Sequence, residues 1–283
     1  MTTKRPDRLS ALIQRFRIEA TVRPANGSGD RRVANDGPAP NLFIVRRGEL
    51  VFSDPRFGPL SGPDSKLAFI PCGAPPDLRV RLNSMDAEFV CATVDMGGEA
   101  NPIARALPEL VVVPLAGADS LGAVADMLLE EARLPRCGSR AVIDRLCEVL
   151  VIRLLRHAIE AGQAKPGLLA GLAHPNLCLA VVAVHDSPGR NWRLEDLADV
   201  AGMSRTHFAN SFRKVVGMTP GEYLSSWRLT LARSEIANGA PLKVVASKIG
   251  FSSSAALSRA FSRRYGFSPR EGYARARQRA AAE

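Results

Sequence analysis

The sequence predicts an α+β protein of two domains, an N-terminal β-barrel with a helical hairpin and a C-terminal domain made only of helices. Three observations lead to this prediction. Short apolar runs separated by turn residues fill residues 20–115, helical periodicity follows over residues 119–162, and one helix-turn-helix pattern occurs twice after residue 193. The 283 residues are enough for two hydrophobic cores.

The N-terminal part begins with helical apolar spacing over residues 8–19 and then changes character. The apolar runs that follow are NLFIVRRGELVF, SKLAFIPC, LRVRL, AEFVCATVDM and LVVVPL, and clusters of Gly, Pro, Asp and Asn separate them. Short strands with turn signals at this spacing predict a sandwich or a small barrel. We assign residues 1–118 to this domain.

Two helices are predicted next, over residues 119–134 and 139–162, and the short PRCG connection between them indicates an antiparallel hairpin. The second helix is apolar on more than one side. Two interpretations are open, because the additional apolar face can cover the barrel or can contact a second subunit in a homodimer. Residues 163–173 are predicted to form a linker, and residues 174–283 the last domain.

The positive charge of the chain is concentrated near its end. Residues 185–283 contain 16 Lys and Arg against 8 Asp and Glu, whereas residues 1–184 contain 22 against 20. This asymmetry indicates a polyanionic partner, although a solvated basic face would have the same composition.

The composition argues against secretion and membrane insertion. No uncharged apolar run approaches the ~18 residues of a spanning helix, and the start, MTTKRPDRLSALIQRF, has no apolar signal core. The five cysteines include no CxxC pair and do not suggest a disulfide framework. We therefore expect a cytoplasmic protein with no membrane contact.

The last third contains one pattern twice, as GMSRTHFANSFRKVVGMTP and as GFSSSAALSRAFSRRYGFSP. Each copy follows a short amphipathic helix, begins with a glycine that suits a positive φ, and continues with a serine that can cap the next helix. That helix has a narrow apolar stripe, formed by Phe208 and Phe212 or by Leu257 and Phe261. These features predict two helix-turn-helix units, in which the second helix can enter a DNA major groove.

A further helix is predicted between the two copies, over PGEYLSSWRLTLARSEIANG (residues 220–239), and its first residue is a proline that suits a first helical turn. Its expected core stripe consists of Tyr223, Leu224, Trp227, Leu231 and Ile236. We expect these aromatic side chains to pack in the core rather than to stack on bases. The helix would hold the two units at a fixed separation.

The segment RLTLARSEIANGAPLKVVASKIGFSSSAALSRAFSRRYGFSPREGY resembles the DNA-binding domain of AraC/XylS-type transcriptional regulators, and the resemblance spans about residues 174–276. It implies that the two units contact successive major-groove segments of double-stranded promoter or operator DNA, with RNA polymerase as a further partner. The strand-rich region is similar to the cupin-like sensory domain found upstream in this family, through its turn spacing and the motif RRGEL. This second resemblance implies an unknown small-molecule effector.

The resemblance also indicates which side chains face the DNA. In the first unit they are Arg205, Thr206, Ala209 and Asn210, with Arg213 toward the backbone; in the second unit they are Ser254, Ala255, Ser258 and Arg259, with Arg263 and Arg264 toward the backbone.

The chemistry of these residues suggests different roles. Arg259 suits a guanine and Asn210 an adenine, each through two hydrogen bonds. The two alanines offer only apolar contacts, so DNA shape is expected to contribute to specificity. Neutralisation of phosphates is the preferred role of Arg263 and Arg264. We expect His207 to pack near the turn rather than to contact a phosphate.

The first domain offers little for catalysis. Residues 1–156 contain no histidine, and Glu49 alone lies near the place expected for a cupin metal ligand. We therefore predict no metal, no cofactor and no catalytic residue. Cys72 and Cys91 can both lie in the barrel, where oxidation to a disulfide would switch the protein; two small buried side chains are the preferred alternative.

The leading hypothesis is a transcription factor that responds to an effector or to a redox signal. An enzyme is the second class, either a cupin catalyst or a DNA-repair alkyl-transfer protein, and the missing histidines and the lack of a clustered cysteine site oppose it. An architectural DNA-binding protein is the third, but it leaves the first 115 residues unexplained.

Overall fold

The computed structural model describes residues 7, 9–15, 19–23, 41–57, 59–60, 65–74, 78, 80–82, 88–96, 101–117, 119–134, 136–160 and 166–280. The chain divides into two compact units. The first is Phe16–Lys165, and the second combines Met1–Arg15 with Pro166–Glu283.

Helix α1 (Ser10–Arg15) comes first in the chain and belongs to the second unit. The elements of the first unit are β1 (Glu19–Arg23), β2 (Leu42–Arg47), β3 (Leu50–Phe52), β4 (Pro59–Leu60), β5 (Lys66–Phe69), β6 (Val80–Leu82), β7 (Glu88–Asp95), α2 (Pro102–Ala106), β8 (Val111–Pro114), α3 (Asp119–Arg133) and α4 (Ser139–Glu160).

The strands of the first unit form two antiparallel sheets, one in the order β1-β7-β2-β5-β8 and one in the order β4-β3-β6. Both sheets contribute to one hydrophobic cluster, which contains Phe43, Val45, Leu50, Phe52, Phe57, Ala68, Ile70, Leu78 and Cys91. The other face of β2 is buried as well, at Leu42 and Ile44. This explains why β2 is a continuous apolar run rather than an alternating one.

The predicted helical hairpin is present as α3 and α4. Helix α4 packs against both α3 and β1, as the barrel-covering interpretation requires. Val142 and Val149 on α4 are nevertheless 44% and 40% exposed, and Met127 on α3 is 56% exposed. The hairpin therefore buries one apolar face in this unit and leaves apolar side chains on another.

All the secondary-structure elements described in the second unit are helices. Besides α1 it contains α5 (Leu168–Ala173), α6 (Leu177–Asp186), α7 (Leu194–Val200), α8 (Arg205–Val216), α9 (Pro220–Ala237), α10 (Leu242–Lys248), α11 (Ser254–Tyr265) and α12 (Pro269–Ala280). Helix α1 packs against α6, and its Leu12 is buried, as is Leu9 just before the helix.

The structure differs from the sequence predictions at several element boundaries. Of the helix predicted over residues 8–19, the structure describes Ser10–Arg15 as α1, and residues 16–18 lie outside the described part. The last predicted residue, Glu19, belongs instead to β1, which pairs along its whole length with β7, because sheet pairing overrides a local helical pattern. Helix α1 groups with the second unit, although we assigned residues 1–118 to the first domain. Leu168–Ala173 is a helix within the predicted linker.

Helix α2 was not predicted, although its sequence carries the signals of a helix start. Asn101 is buried, and its side-chain oxygen accepts a hydrogen bond from the Ile103 amide at 2.8 Å. Pro102 occupies the first helical position, where a missing amide hydrogen costs nothing. The five-residue length of the helix explains why its periodicity was not detected.

Candidate nucleic-acid interface

The first helix-turn-helix module consists of α7, the turn over residues 201–204, and α8. Gly202 has φ +63°, in the left-handed region that favours glycine. The Met203 amide donates to the Ala198 carbonyl at 2.9 Å, which closes the turn. Ser204 stands at the N-cap position of α8, but its hydroxyl accepts no hydrogen bond from the first turn of the helix, so the predicted side-chain cap is absent here.

The second module, formed by α10, the turn over residues 249–253 and α11, repeats this geometry. Gly250 has φ +82°, and the Phe251 amide donates to the Ala246 carbonyl at 2.9 Å. The Ser253 hydroxyl accepts from the Ala256 amide at 3.1 Å and so caps α11. The two copies therefore share the left-handed glycine and the hydrogen bond that closes the turn, whereas the second turn has one more residue before its N-cap serine.

Each recognition helix is fixed by the apolar stripe that the sequence predicted. Phe208 and Phe212 of α8 and Leu257 and Phe261 of α11 are all at most 2% exposed. The five predicted core residues of α9 are buried too, which confirms that its aromatic side chains pack in the core. Phe212 and Tyr223 pack edge to face with ring centroids 5.5 Å apart, so α9 contacts the core of the first module.

Helix α9 begins with reciprocal caps at Thr219 and Glu222. The Glu222 carboxylate accepts from the Thr219 amide at 2.8 Å, and the Thr219 hydroxyl accepts from the Glu222 amide at 3.3 Å. The Thr219 amide and the Thr219 hydroxyl, which both donate to the Glu222 carboxylate, hold the pKa of Glu222 below its usual value. The start of the connecting helix is thus set by local sequence.

The structure places most of the predicted DNA-facing residues on the solvent side of the two recognition helices. The exposed ones are Arg205, Thr206, Asn210, Arg213, Ala255, Arg259, Arg263 and Arg264, and the half-buried ones are Ala209, Ser254 and Ser258. The half-buried ones each precede a residue of the buried stripe by three positions and so lie at its border. Each helix therefore offers one polar, partly basic face to a ligand.

Arg205 has a partner that the sequence analysis did not identify. Its guanidinium forms an ion pair with Glu195 of α7, with Nη1 and Oε1 3.0 Å apart. Both side chains are more than half exposed, so solvent screens the attraction. Glu195 thus pairs with a predicted DNA-contacting side chain of its own module. The sequence feature that could have indicated this pair is the acidic residue in the first turn of α7.

His207 is exposed, whereas we expected it to pack near the turn. Partial burial, together with the charge of nearby His207, lowers the pKa of His174. The neutral His174 ring accepts hydrogen bonds at Nδ1 from the amides of Asn176 and Leu177, each at 3.2 Å. Protonation of His174 would remove both bonds at the start of α6.

Arg228 of α9 is the second residue that sequence reasoning missed. It is half-buried and donates hydrogen bonds to three backbone carbonyls. Partial burial lowers its pKa, but an arginine stays protonated at any physiological pH. Its signal in the sequence was a charged residue between two apolar ones, Trp227 and Leu229.

In the first unit, Cys72 is exposed after β5 and Cys91 is 3% exposed within β7. The burial of Cys91 agrees with a packing role. The described residues contain no group of three or more His, Cys, Asp or Glu side chains that could hold a metal ion. Among the described helices, none has the length and apolar content that a membrane span requires.

Comparison with known proteins agrees with this architecture. Residues 7–160 match the cupin family, and residues 197–275 match a helix-turn-helix domain family. A putative AraC-like transcription regulator of Streptomyces lividans is 39% identical over 46% of this chain and 44% of its own length. The RCS-specific HTH-type transcriptional activator RclR of Escherichia coli K12 is 31% identical over 70% of this chain and 72% of its own length.

Among solved structures, the DNA-binding domain of AdpA, described as a global transcriptional factor in complex with a target DNA, is 30% identical. The match covers 35% of the present chain and 91% of the AdpA chain, with a TM-score of 0.33. The chain spans about half the length of the Streptomyces relatives, 44% of one and 55% of the other.

The chain belongs to the family of AraC-type transcription regulators, with a cupin domain followed by a helix-turn-helix domain. This confirms the resemblance of both regions and the predicted fold class.

Proposed function

We propose that this chain is a sequence-specific transcriptional regulator whose α8 and α11 bind two successive major-groove segments of one promoter or operator. The cupin-like domain, which we place at residues 1–118, responds to a small-molecule effector. Residues 119–162 form its hairpin, residues 163–173 the connection, and residues 174–283 the DNA-binding domain.

The observation that carries this proposal is the duplicated module. Two helices of twelve residues each bury one apolar stripe and expose a polar face, and both follow a glycine turn of the same conformation. A helix presented in this way fits the major groove, and two of them on one helical unit suit sites about one DNA turn apart.

Individual residues have different roles in the proposal. Arg259 and Asn210 recognise base edges, whereas Arg213, Arg263 and Arg264 neutralise phosphates. Arg205 exchanges Glu195 for DNA on binding. The small residues Ala209, Ala255, Ser254 and Ser258 allow close approach to the bases, and Thr206 adds a hydroxyl contact.

The remaining partners follow from a role at promoters. RNA polymerase is the expected protein partner, and the exposed apolar residues of α3 and α4 suit a homodimer. We propose no catalytic step, because the curated relatives carry the names of transcription regulators. A promoter-binding bacterial protein acts in the cytoplasm.

The experiment that tests the proposal is selection of bound fragments from random duplex DNA with purified full-length protein at a stated salt concentration. The expected result is a motif of two short boxes about 10 base pairs apart, centre to centre. Recovery of no motif, with binding that weakens steeply as salt rises, would show charge-driven association alone and would overturn the proposal.

Once an operator is known, the signal can be tested separately. Effector screening uses the change in operator affinity on ligand addition, and an architectural protein would show no such change. The redox alternative is tested with Cys72→Ser and Cys91→Ser proteins, and it fails if both respond to oxidant as the wild type does.

A further inference from the structure

We propose that Arg228 is a positioning residue that sets the spacing of the two recognition helices. It does so by tying the segment that leads into the first module to the turn of the second. The inference rests on the proposed function, because helix spacing affects binding only if both modules contact one DNA molecule.

The hydrogen bonds of Arg228 connect two segments far apart in the sequence. Nε donates to the Pro188 carbonyl at 2.7 Å, and Nη2 donates to the Arg190 carbonyl at 2.9 Å. Nη1 donates to the carbonyl of Gly250 at 3.1 Å. One planar guanidinium therefore satisfies carbonyls of the segment before α7 and of the turn before α11, which a single flexible amine cannot match.

Two glycines show independently that these segments touch. A Cβ atom added to Gly189 would lie 2.7 Å from the Lys248 carbonyl oxygen. A Cβ atom added to Gly250 would lie 2.7 Å from the Gly189 carbonyl oxygen and also 2.7 Å from Arg228 Nη2. The two backbone segments are thus in direct contact. Any residue other than glycine at position 189 or 250 would displace one segment from the other.

The position of these contacts gives them their effect on module spacing. Residues 188–190 lead directly into α7, the first helix of the first module. Helix α9 is joined to the second module by the Lys248–Glu235 ion pair at 2.5 Å and by Arg233, which stacks on Tyr265. Arg228 adds a hydrogen-bonded connection from this assembly to the entry of the first module.

A fixed spacing has a direct consequence for DNA binding. When one recognition helix is bound, the other is already placed over its groove, so the second contact is intramolecular. If the connection is lost, the second helix samples several positions, and both the affinity and the dependence on box spacing decrease.

The test measures the affinity of the protein for three kinds of duplex. The first carries both boxes of the selected operator at the selected spacing, and the second carries both boxes with one or two base pairs inserted or removed between them. The third carries a single box. The proteins are wild type, Arg228→Ala, Arg228→Lys and Gly189→Ala. Ser225→Ala is the control for a substitution at an exposed position of the same helix. Gly221→Ala is the glycine control, because a Cβ there meets no atom of the described residues within 4 Å.

We expect Arg228→Ala to lose about ten- to a hundredfold in affinity for the two-box duplex at the selected spacing. Its affinity for single-box duplexes should stay within twofold of wild type, and its spacing dependence should flatten. Gly189→Ala should change the same readouts in the same direction, and Arg228→Lys should be intermediate. Both controls should behave as wild type.

Three results decide against the inference. If wild type shows no two-box preference, the proposed function itself fails. If wild type shows it but Arg228→Ala and Gly189→Ala keep the same spacing dependence, only the positioning role is overturned. A folded variant that loses single-box and two-box affinity equally would also overturn it. If Arg228→Ala does not unfold cooperatively, Arg228→Lys and Gly189→Ala decide by the same criteria.

Discussion

The turns of the two helix-turn-helix modules share a left-handed glycine, but the surroundings of that glycine differ. At Gly202 of the first module, an added Cβ would meet no atom within 4 Å in the described part of the chain. At Gly250 of the second, the same atom would overlap Arg228 and the Gly189 carbonyl. The turn glycine of the first module therefore has open space beside it, whereas the turn glycine of the second module packs against other residues of the helical unit.

The recognition helices differ in a related way. Helix α8 carries Arg205 and Asn210, whose side chains form directional hydrogen bonds, and one of them is already held by Glu195. Helix α11 begins with small residues and concentrates its positive charge in Arg259, Arg263 and Arg264. The duplication of the backbone thus does not duplicate the chemistry, and we expect the two boxes of the operator to differ in sequence.

The largest expected effect comes from the buried stripes. Phe212→Ala and Phe261→Ala should each lower the free energy of unfolding by about 3–5 kcal/mol, because a large buried ring leaves a cavity. Amide exchange should localise the loss to residues 194–216 for the first substitution and to residues 242–265 for the second. A variant that stays as stable as wild type in thermal unfolding would show that its ring is not part of a core.

The two turn glycines test the difference in surroundings. Gly202→Ala should cost about 1–2 kcal/mol, the strain of a left-handed backbone with a side chain. Gly250→Ala should cost about 1–3 kcal/mol more, since its methyl group overlaps neighbouring atoms. Urea unfolding of both variants measures the difference, and equal losses would contradict the enclosure of the second turn.

The turn glycines also show what the sequence could reveal. Repetition of Gly202 and Gly250, together with the apolar stripes, was enough to predict both modules, the connecting helix and the exposed faces. The different surroundings of these glycines could not be predicted, because Gly189 and Arg228 are 61 and 22 positions from Gly250 in the sequence. Such contacts depend on how helices pack, and no periodicity records them.

The same limit applies to the first unit. Five apolar runs located the strands from β2 onward, with the exception of the two-residue β4. Strand β1 was not predicted, because it comes directly after a segment with helical apolar spacing. Its pairing with β7 depends on residues about 70 positions away in the sequence. The predicted DNA-facing set rested on family resemblance, and the structure adds their exposure and the Arg205–Glu195 pair.

Base recognition should distinguish the two helices. Arg259→Ala and Asn210→Ala should each weaken specific binding by about 1–3 kcal/mol and relax the preference at one base pair, in different boxes. Arg264→Ala is the control, and it should weaken binding to all sequences alike and reduce the salt slope by about one. Selection from random DNA with each variant identifies the affected box. Unchanged operator affinity of Arg259→Ala would contradict its assignment.

The smallest expected effect concerns the two ion pairs of the modules. Glu195→Gln should release Arg205 and raise operator affinity by about two- to fivefold, since an exposed pair is worth about 0–1 kcal/mol. Glu235→Gln breaks the exposed pair with Lys248, and because neither residue belongs to the predicted DNA-facing set, the affinity for single-box duplexes should stay unchanged. Titration at low and high salt checks both. A loss of affinity in Glu195→Gln would mean that the pair orients Arg205 for DNA.

The unbroken helical conformation of α9 over Pro220–Ala237 has a consequence for how this protein can change in length. Insertion of one residue into an α-helix rotates everything beyond it by about 100° and advances it by about 1.5 Å. A single codon gained or lost here would turn α11 away from the groove that α8 defines. An insertion that a surface loop would accept with little effect would therefore disrupt two-box binding if it fell within α9, so the proposed function makes the length of α9 a constraint on the spacing of the two boxes.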